Sequence, residues 1–174
     1  MKIENDRLLE LETRKKIYAV INNMPGIYLR ELERETSFTI GQLTYHLPIL
    51  VKANLIKEET TGRFKRFYPL GLNVYERKIL PLLRRPNLRK IIILVLENKR
   101  ITNKELSDKM SVSPATISWY IQILKDANLI HNETRDNGIF YSLMDEDEII
   151  KVLIAYKESF LDKMIDRFIE TWDS

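Results

Sequence analysis

The chain has 174 residues, no cysteine, a net charge of +3 and a hydrophobic content of 44%. This composition suits one soluble domain or two small ones, and the missing cysteines exclude disulfides, thiolate metal sites and thiol nucleophiles. No apolar run reaches the roughly 18 residues that span a bilayer, and the charged N-terminus lacks a signal-peptide core. We therefore expect a cytoplasmic protein without a membrane partner.

Charge is distributed unevenly along the chain. Residues 1–144 hold 24 Lys and Arg against 16 Asp and Glu, whereas residues 145–174 hold 4 against 9. A basic body and an acidic tail indicate a polyanionic partner for the body, with the tail facing away from it. Ordinary surface charge is the alternative explanation of the same numbers.

The first part of the chain predicts three helices followed by a β-hairpin. The third helix has the clearest start, because Thr39 is a good N-cap and Gln42 stands at capping-box spacing. Pro48 lies inside this helix and predicts a kink near Thr44. The predicted elements are helix 11–23, helix 29–36, helix 39–53, strand 55–59 and strand 64–70, with the hairpin turn at 61–63.

The same pattern recurs 74 residues later. Residues 39–56 align without a gap with residues 113–130, and both segments end in the identical sequence Ala-Asn-Leu-Ile. The apolar stripe of the third helix is repeated as well, with Leu43, Leu47 and Leu50 corresponding to Ile117, Ile121 and Leu124. These matches indicate a tandem duplication. Residues 66–70 best match residues 139–143 at an offset of 73, which predicts a second hairpin shorter by one residue.

The second copy predicts helices 88–98, 102–110 and 113–127 and a hairpin over 129–143 that turns at Asp136-Asn137-Gly138. A linker helix is expected between the copies, over 73–83. Beyond residue 144 the pattern predicts one long amphipathic helix, 145–172, which must dock on its own chain or on a second copy. We expect a homodimer through its apolar face, formed by Ile150, Leu153, Ile154, Phe160, Leu161, Met164 and Phe168.

Two helices, a turn, a third helix and a hairpin are the element order of a winged helix-turn-helix. The predicted fold class is mainly α with small β-hairpin wings: two tandem winged helix-turn-helix domains plus a long C-terminal helix. The predicted division is a first winged helix domain at 1–71, a linker helix at 72–86, a second winged helix domain at 87–144 and the C-terminal helix at 145–174.

The segment 43–56, with its Leu-Thr-Tyr-His-Leu start, resembles the recognition helix of ArsR/MarR-like winged-helix transcription regulators. The tandem arrangement is most similar to archaeal two-winged-helix regulators. The resemblance implies that the third helix of each copy enters the major groove of double-stranded DNA while the wing contacts phosphates. The DNA-binding residues it implies are Thr39, Gln42, Thr44, Tyr45, Arg63, Lys65 and Arg66 in the first copy, and Ser113, Thr116, Ser118, Trp119 and Arg135 in the second.

Several of these residues have a simpler explanation. Capping a helix is by itself a sufficient role for Thr39 and Ser113, without any contact to DNA. His46, beside the core face, is expected to be structural. Tyr45 and Trp119 fall at equivalent exposed positions, which indicates a partner there, either DNA or another subunit. The first wing is basic, so the first copy is expected to dominate DNA affinity.

Two classes of function remain open on sequence alone. A sequence-specific DNA-binding transcription regulator is favoured, and a winged-helix scaffold that docks on transcription machinery is the alternative. No phosphate loop, zinc-protease motif or nucleophile elbow is present, so we expect no enzymatic activity, no catalytic residue, no metal site and no cofactor. A small-molecule effector is not evident.

Overall fold

The computed structural model describes residues 11–61, 63–135, 138–160 and 163–172. Its contacts divide the chain into two compact units, one ending at Pro81 and the other beginning at Leu82. The elements in order are α1 (Glu12–Asn23), β1 (Ile27–Tyr28), α2 (Leu29–Thr36), α3 (Ile40–Lys52), β2 (Ile56–Thr61), β3 (Phe64–Pro69), α4 (Val74–Leu83), α5 (Pro86–Asn98), β4 (Ile101–Thr102), α6 (Asn103–Met110), α7 (Pro114–Asp126), β5 (Ile130–Arg135), β6 (Gly138–Leu143), α8 (Glu146–Ala155) and α9 (Lys163–Trp172).

Each unit has the architecture of a winged helix. Three helices pack on a three-stranded antiparallel sheet, with the strand order β1-β3-β2 in the first unit and β4-β6-β5 in the second. The predicted apolar stripe of α3 is confirmed, because Leu43, Leu47 and Leu50 are all buried against α1 and the sheet. The two-residue strands β1 and β4 are too short to leave a periodic signal, and the sequence pattern does not predict them.

The caps explain why α3 and α7 begin where the sequence indicates. The Thr39 hydroxyl accepts from the Gln42 N–H at 3.3 Å, and the Thr39 N–H donates to Gln42 Oε1 at 2.9 Å. This reciprocal capping box satisfies two donors at the helix start. In the second unit the Ser113 hydroxyl accepts from the Thr116 N–H at 3.1 Å.

The identical sequence Ala-Asn-Leu-Ile ends both helices in the same way. Asn54 has a φ of 52°, and the Leu55 N–H donates to the Leu50 carbonyl at 3.0 Å. Asn128 has a φ of 49°, with the corresponding bond from the Leu129 N–H to the Leu124 carbonyl at 2.9 Å. These are Schellman caps, in which asparagine tolerates the left-handed conformation better than other residues with a side chain.

Replacing Asn54 with valine should lower the free energy of unfolding by about 1–2 kcal/mol, because a β-branched residue resists positive φ. Asn54→Gly should be close to neutral, since glycine adopts this conformation without steric cost. Urea unfolding followed by circular dichroism measures both. Equal losses in the valine and glycine variants would show that the side chain, rather than the backbone conformation, matters at this position.

The predicted one-residue shortening of the second hairpin is wrong. Phe67 pairs with Ile27 in the first sheet, and Tyr141 pairs with Ile101 in the second, so the offset of 74 extends through the wing. Both hairpins have six-residue strands whose partners are related by this offset. The register follows the buried pair at the sheet centre, whereas the shared Phe-Tyr sequence is displaced by one residue between the copies. Gly62, Asp136 and Asn137 of the predicted turns lie outside the described residues.

The prediction of one long C-terminal helix is also wrong. Helix α8 ends at Ala155, a 3-10 turn follows at Lys157–Ser159, and α9 begins at Lys163. The break lets Phe160 turn inward, where the Arg89 guanidinium lies 5.3 Å from the centre of its ring. No helix in the described part of the chain is long and apolar enough to cross a bilayer.

Most of the predicted dimer residues pack inside the second unit instead. Four of them are buried within a single chain: Ile150, Leu153, Phe160 and Phe168. Ile154 is 41% exposed, whereas Leu161 and the side chain of Met164 lie outside the described residues. The apolar face was expected to dock on its own chain or on a second copy. At the four buried positions it packs on its own chain.

Candidate nucleic-acid interface

The outer face of α3 is polar and uncharged at its N-terminal half. Thr39, Gln42, Thr44 and Tyr45 are all exposed, and Tyr45 retains 66% of its accessible surface. Helix α3 contains no Asp or Glu, and its only formal charge is Lys52 at the far end. The structure therefore brings the four predicted recognition residues of the first copy together on one surface that would not repel an anion.

Hydrogen bonds within the helix limit what two of these residues can offer to a base. The Gln42 carbonyl oxygen already accepts from the Thr39 N–H and hydroxyl, so the amide NH₂ is the part left for a partner. Bidentate pairing of Gln42 with adenine needs both the carbonyl oxygen and the NH₂ group of its side-chain amide, so it is incompatible with the intact capping box. The Thr44 hydroxyl donates to the Ile40 and Gly41 carbonyls, which leaves its methyl group and a lone pair.

His46 lies next to Tyr45, with the two ring centres 5.0 Å apart in an edge-on arrangement. Partial burial, with a smaller contribution from the nearby Arg14 charge, lowers the pKa of His46 below its usual value. The imidazole is therefore neutral at neutral pH, which agrees with a structural role. Helix α3 continues through the exposed Pro48 without a break.

The basic residues of the first wing differ in their surroundings. Arg63 is exposed beside the turn, and the Lys65 ammonium lies 2.7 Å from the Glu58 carboxylate. Arg66 is only partly exposed, and its Nη1 donates to the Gly26 carbonyl at 2.8 Å. Its guanidinium also lies 5.9 Å from the centre of the Tyr28 ring. Arg66 therefore connects β3 to β1 and to Gly26 just before it, a role that the sequence did not indicate.

Helix α7 presents a comparable surface in the second unit. Ser113, Ser118 and Trp119 are exposed and Thr116 is half-buried. The Ser118 hydroxyl donates to the Pro114 carbonyl at 3.0 Å and accepts from Asn103 Nδ2 at 2.9 Å. Trp119 is 56% exposed, so it is the residue of this surface with the most apolar area in contact with solvent.

The second wing carries a mixed charge cluster. Arg135 donates to the Glu133 carboxylate at 3.1 Å, and Arg100 lies 3.9 Å from the same carboxylate. The predicted phosphate contact from Arg135 therefore competes with an internal ion pair. Such exposed pairs are weak, so the pair leaves Arg135 available to a stronger anion.

One residue near this surface escaped prediction. Arg85 precedes α5, and its guanidinium carbon lies 5.6 Å from the centre of the Trp119 ring. The residue 74 positions earlier is Leu11, so the repeat gives no indication of a basic residue here. No group of three or more His, Cys, Asp or Glu capable of holding a metal ion is found among the described residues.

Comparison with known proteins agrees with the helix-turn-helix architecture of the two units. A family profile described as an N-terminal HTH domain matches residues 11–80, and one described as winged helix-turn-helix DNA-binding matches residues 84–131. An uncharacterized HTH-type transcriptional regulator of Methanocaldococcus jannaschii is 29% identical over 140 residues, which are 80% of this chain. The chain spans 35% of the length of that relative.

Two solved structures overlap only loosely with this chain. A ZitR mutant from Lactococcus lactis is 20% identical, with 76% of this chain and 94% of that chain covered and a TM-score of 0.32. Human N-acetylserotonin methyltransferase is 14% identical, with 74% and 42% covered and a TM-score of 0.29. Scores this low carry no argument about fold or function. The two profile matches agree with the duplicated three-helix and hairpin unit: the chain contains two tandem winged helix-turn-helix domains and is similar to an archaeal HTH-type transcriptional regulator.

Proposed function

We propose that this protein is a sequence-specific transcription regulator that reads double-stranded DNA with the front surfaces of α3 and α7. The observation that carries the proposal is the pair of equivalent helices, each with its apolar stripe buried and its polar front exposed. A helix of this kind fits the major groove and can place short polar side chains against base edges.

The surroundings of the first front surface support contact with phosphates. Arg63 on the wing is exposed, and Arg14, Lys15 and Lys16 follow one another on α1. Of these α1 residues, Lys16 has its ammonium 5.3 Å from the centre of the Phe38 ring, next to the start of α3. Basic residues near a reading helix position it on the sugar-phosphate backbone without specifying the sequence. Tyr45 and Trp119 add exposed aromatic area at equivalent places, which suits contact with the methyl groups of thymine or with sugars.

Selection of duplexes from a random DNA pool with the purified protein tests this proposal. A regulator should enrich a defined motif, and its affinity should fall steeply with salt, with a slope of about −0.9 in log K against log salt for each neutralised phosphate. Half-sites spaced by about 10–10.5 base pairs or a multiple would indicate a two-fold assembly. Absence of micromolar binding to any duplex at low salt would contradict the proposal and favour a protein–protein scaffold.

Gln42 provides a sharper test of base reading. Gln42→Glu should keep the capping box, because a carboxylate can accept from Thr39, while it removes the amide NH₂. The added carboxylate should weaken binding to every duplex by charge repulsion, so the expected sign of base reading is a further loss of about tenfold at the selected site relative to a random duplex, with little change in thermal stability. Gln42→Ala should lower both stability and affinity. If Gln42→Glu weakens the selected site and a random duplex equally, Gln42 does not read a base.

Dimerisation remains a proposal of its own. The described part of the C-terminal region leaves Ile154 exposed, which is a small apolar surface for a stable interface. Light scattering during size-exclusion chromatography, with and without a selected duplex, measures the assembly directly. A protein that is monomeric alone and dimeric only on DNA with two half-sites would show that the DNA, rather than a protein interface, brings the two copies together.

A further inference from the structure

The second unit contains an arginine held against the exposed aromatic residue of its recognition helix. The Arg85 guanidinium carbon lies 5.6 Å from the centre of the Trp119 ring, within the range of a cation–π contact. Arg85 is half-buried and Trp119 is 56% exposed, so the pair forms part of the protein surface.

The backbone around Arg85 is set by its neighbours. Arg85 is the N-cap residue of α5 and precedes Pro86, and its φ and ψ of −87° and 111° lie in the extended region that a following proline favours. Two residues further on, Asn87 Nδ2 donates to the Tyr120 hydroxyl at 2.6 Å. The start of α5 is therefore connected to α7 at two adjacent positions, and the Arg85 side chain emerges beside the reading surface.

The cation–π contact with Trp119 leaves the N–H donors of Arg85 available to other partners. A guanidinium stacks on a ring through its flat face, whereas its five N–H donors point outward in the plane. No carboxylate or carbonyl among the described residues pairs with the Arg85 side chain. A planar donor group that is oriented by a ring and open at its edge matches two oxygens of a phosphate.

The described residues of the first unit show no such arrangement. Leu11 stands at the position of Arg85, Thr13 at that of Asn87 and His46 at that of Tyr120. Neither leucine nor threonine can supply a cation over Tyr45. Among the residues that the structure describes, the feature occurs in the second unit, whose wing is less basic than the first, and it supplies positive charge next to α7 itself.

We propose that Arg85, oriented by the Trp119 indole, binds a phosphate of the DNA strand that borders the groove entered by α7. This inference rests on the proposed function and extends it, because it makes the second unit a DNA-binding unit with its own phosphate contact outside the helix-turn-helix motif. Arg85 is the phosphate ligand, and Trp119 is the positioning residue that fixes its plane.

Affinity measurements on the full chain with one selected duplex, at several salt concentrations, test this proposal. Arg85→Ala should weaken binding about tenfold and reduce the salt slope by about 0.9, as expected for the loss of one phosphate contact. Arg85→Lys keeps the charge without the planar guanidinium, so its affinity should lie between those of the wild type and Arg85→Ala. Lys90→Ala removes the same charge five residues later, on α5, and should leave the salt slope unchanged. Thermal unfolding verifies that each variant is folded.

A double-mutant cycle distinguishes the positioning role of Trp119 from an independent contact. If the indole orients Arg85, the Arg85→Ala substitution should cost much less than tenfold when it is made in a Trp119→Ala background. The inference would be overturned if the affinity losses of the two single variants multiply in the double variant, or if Arg85→Ala leaves the salt slope unchanged. In either case, DNA binding by the wild-type protein would leave the proposed function intact. No wild-type binding to any duplex would overturn both.

Discussion

Replacing Leu47 with alanine should lower the stability of the first unit by about 2–5 kcal/mol, the range for truncating a buried leucine. Leu47 is 2% exposed and lies in the middle of the stripe that holds α3 on α1 and the sheet. The lost contacts and the residual cavity both fall beneath the exposed face of α3. If that face binds DNA as proposed, DNA affinity should fall together with stability, even though the Leu47 side chain points into the core.

Hydrogen–deuterium exchange measured by mass spectrometry can locate this effect. Protection of the α3 amides should fall by roughly 30-fold to 5,000-fold, which is the factor that corresponds to a loss of about 2–5 kcal/mol. Ile121→Ala, the matched substitution at the equivalent buried position, should reduce protection of α7 instead. Leu47→Met conserves volume and should cost less than about 1.5 kcal/mol. Unchanged α3 protection in Leu47→Ala would contradict the central place of this residue in the core.

Much of the fold could be predicted because its determinants are local and occur twice. The start of α3 depends on Thr39 and Gln42, and its end depends on Asn54, so each boundary is specified within four residues. The repeat then allowed the weaker signals in one copy to be checked against the other. Element order, the buried stripe and both recognition helices follow from such short-range chemistry.

The errors arose where distant contacts decide the outcome. The hairpin offset was inferred from the shared Phe-Tyr sequence, whereas the actual register follows the pairing of β1 with β3, about 40 residues away. The C-terminal helix was extended because its apolar pattern is continuous. The helix ends at Ala155, and the buried Phe160 that follows lies close to Arg89 of α5, a contact that the apolar pattern does not contain. Periodicity within a segment carries no information about either partner.

The candidate site divides in the same way. The exposed positions on α3 follow from helical periodicity once the buried stripe is known, and the structure confirms that Tyr45 is exposed. Three features depend on geometry that composition does not contain: the hydrogen bonds accepted by Gln42 Oε1, the Arg66 bond to Gly26 and the cation–π contact of Arg85 with Trp119. Judged by charge, Arg63 and Arg66 are equivalent candidates for phosphate contact. In the structure Arg63 is exposed, whereas Arg66 is hydrogen-bonded to Gly26.

Arg66 provides the decisive comparison within the first wing. Its Nη1 donates to the Gly26 carbonyl at 2.8 Å, and the residue is only partly exposed. Gly26 is buried, so its carbonyl loses this donor when the Arg66 side chain is removed. Arg66→Ala should therefore lower the free energy of unfolding by about 1.5–3 kcal/mol, the range for a hydrogen bond to a charged group.

The salt dependence of DNA binding separates a structural arginine from a phosphate ligand. Arg66→Ala should leave the slope of log K against log salt nearly unchanged once the measurement is made at a temperature where the variant is folded. Arg63→Ala, an exposed neighbour on the same wing, should reduce that slope by about 0.9 with little effect on stability. Arg66→Met, which keeps the aliphatic stem, should recover part of the stability but none of the hydrogen bond. A flattened slope at full stability in Arg66→Ala would show that Arg66 contacts DNA after all, and that its bond to Gly26 opens when the duplex binds.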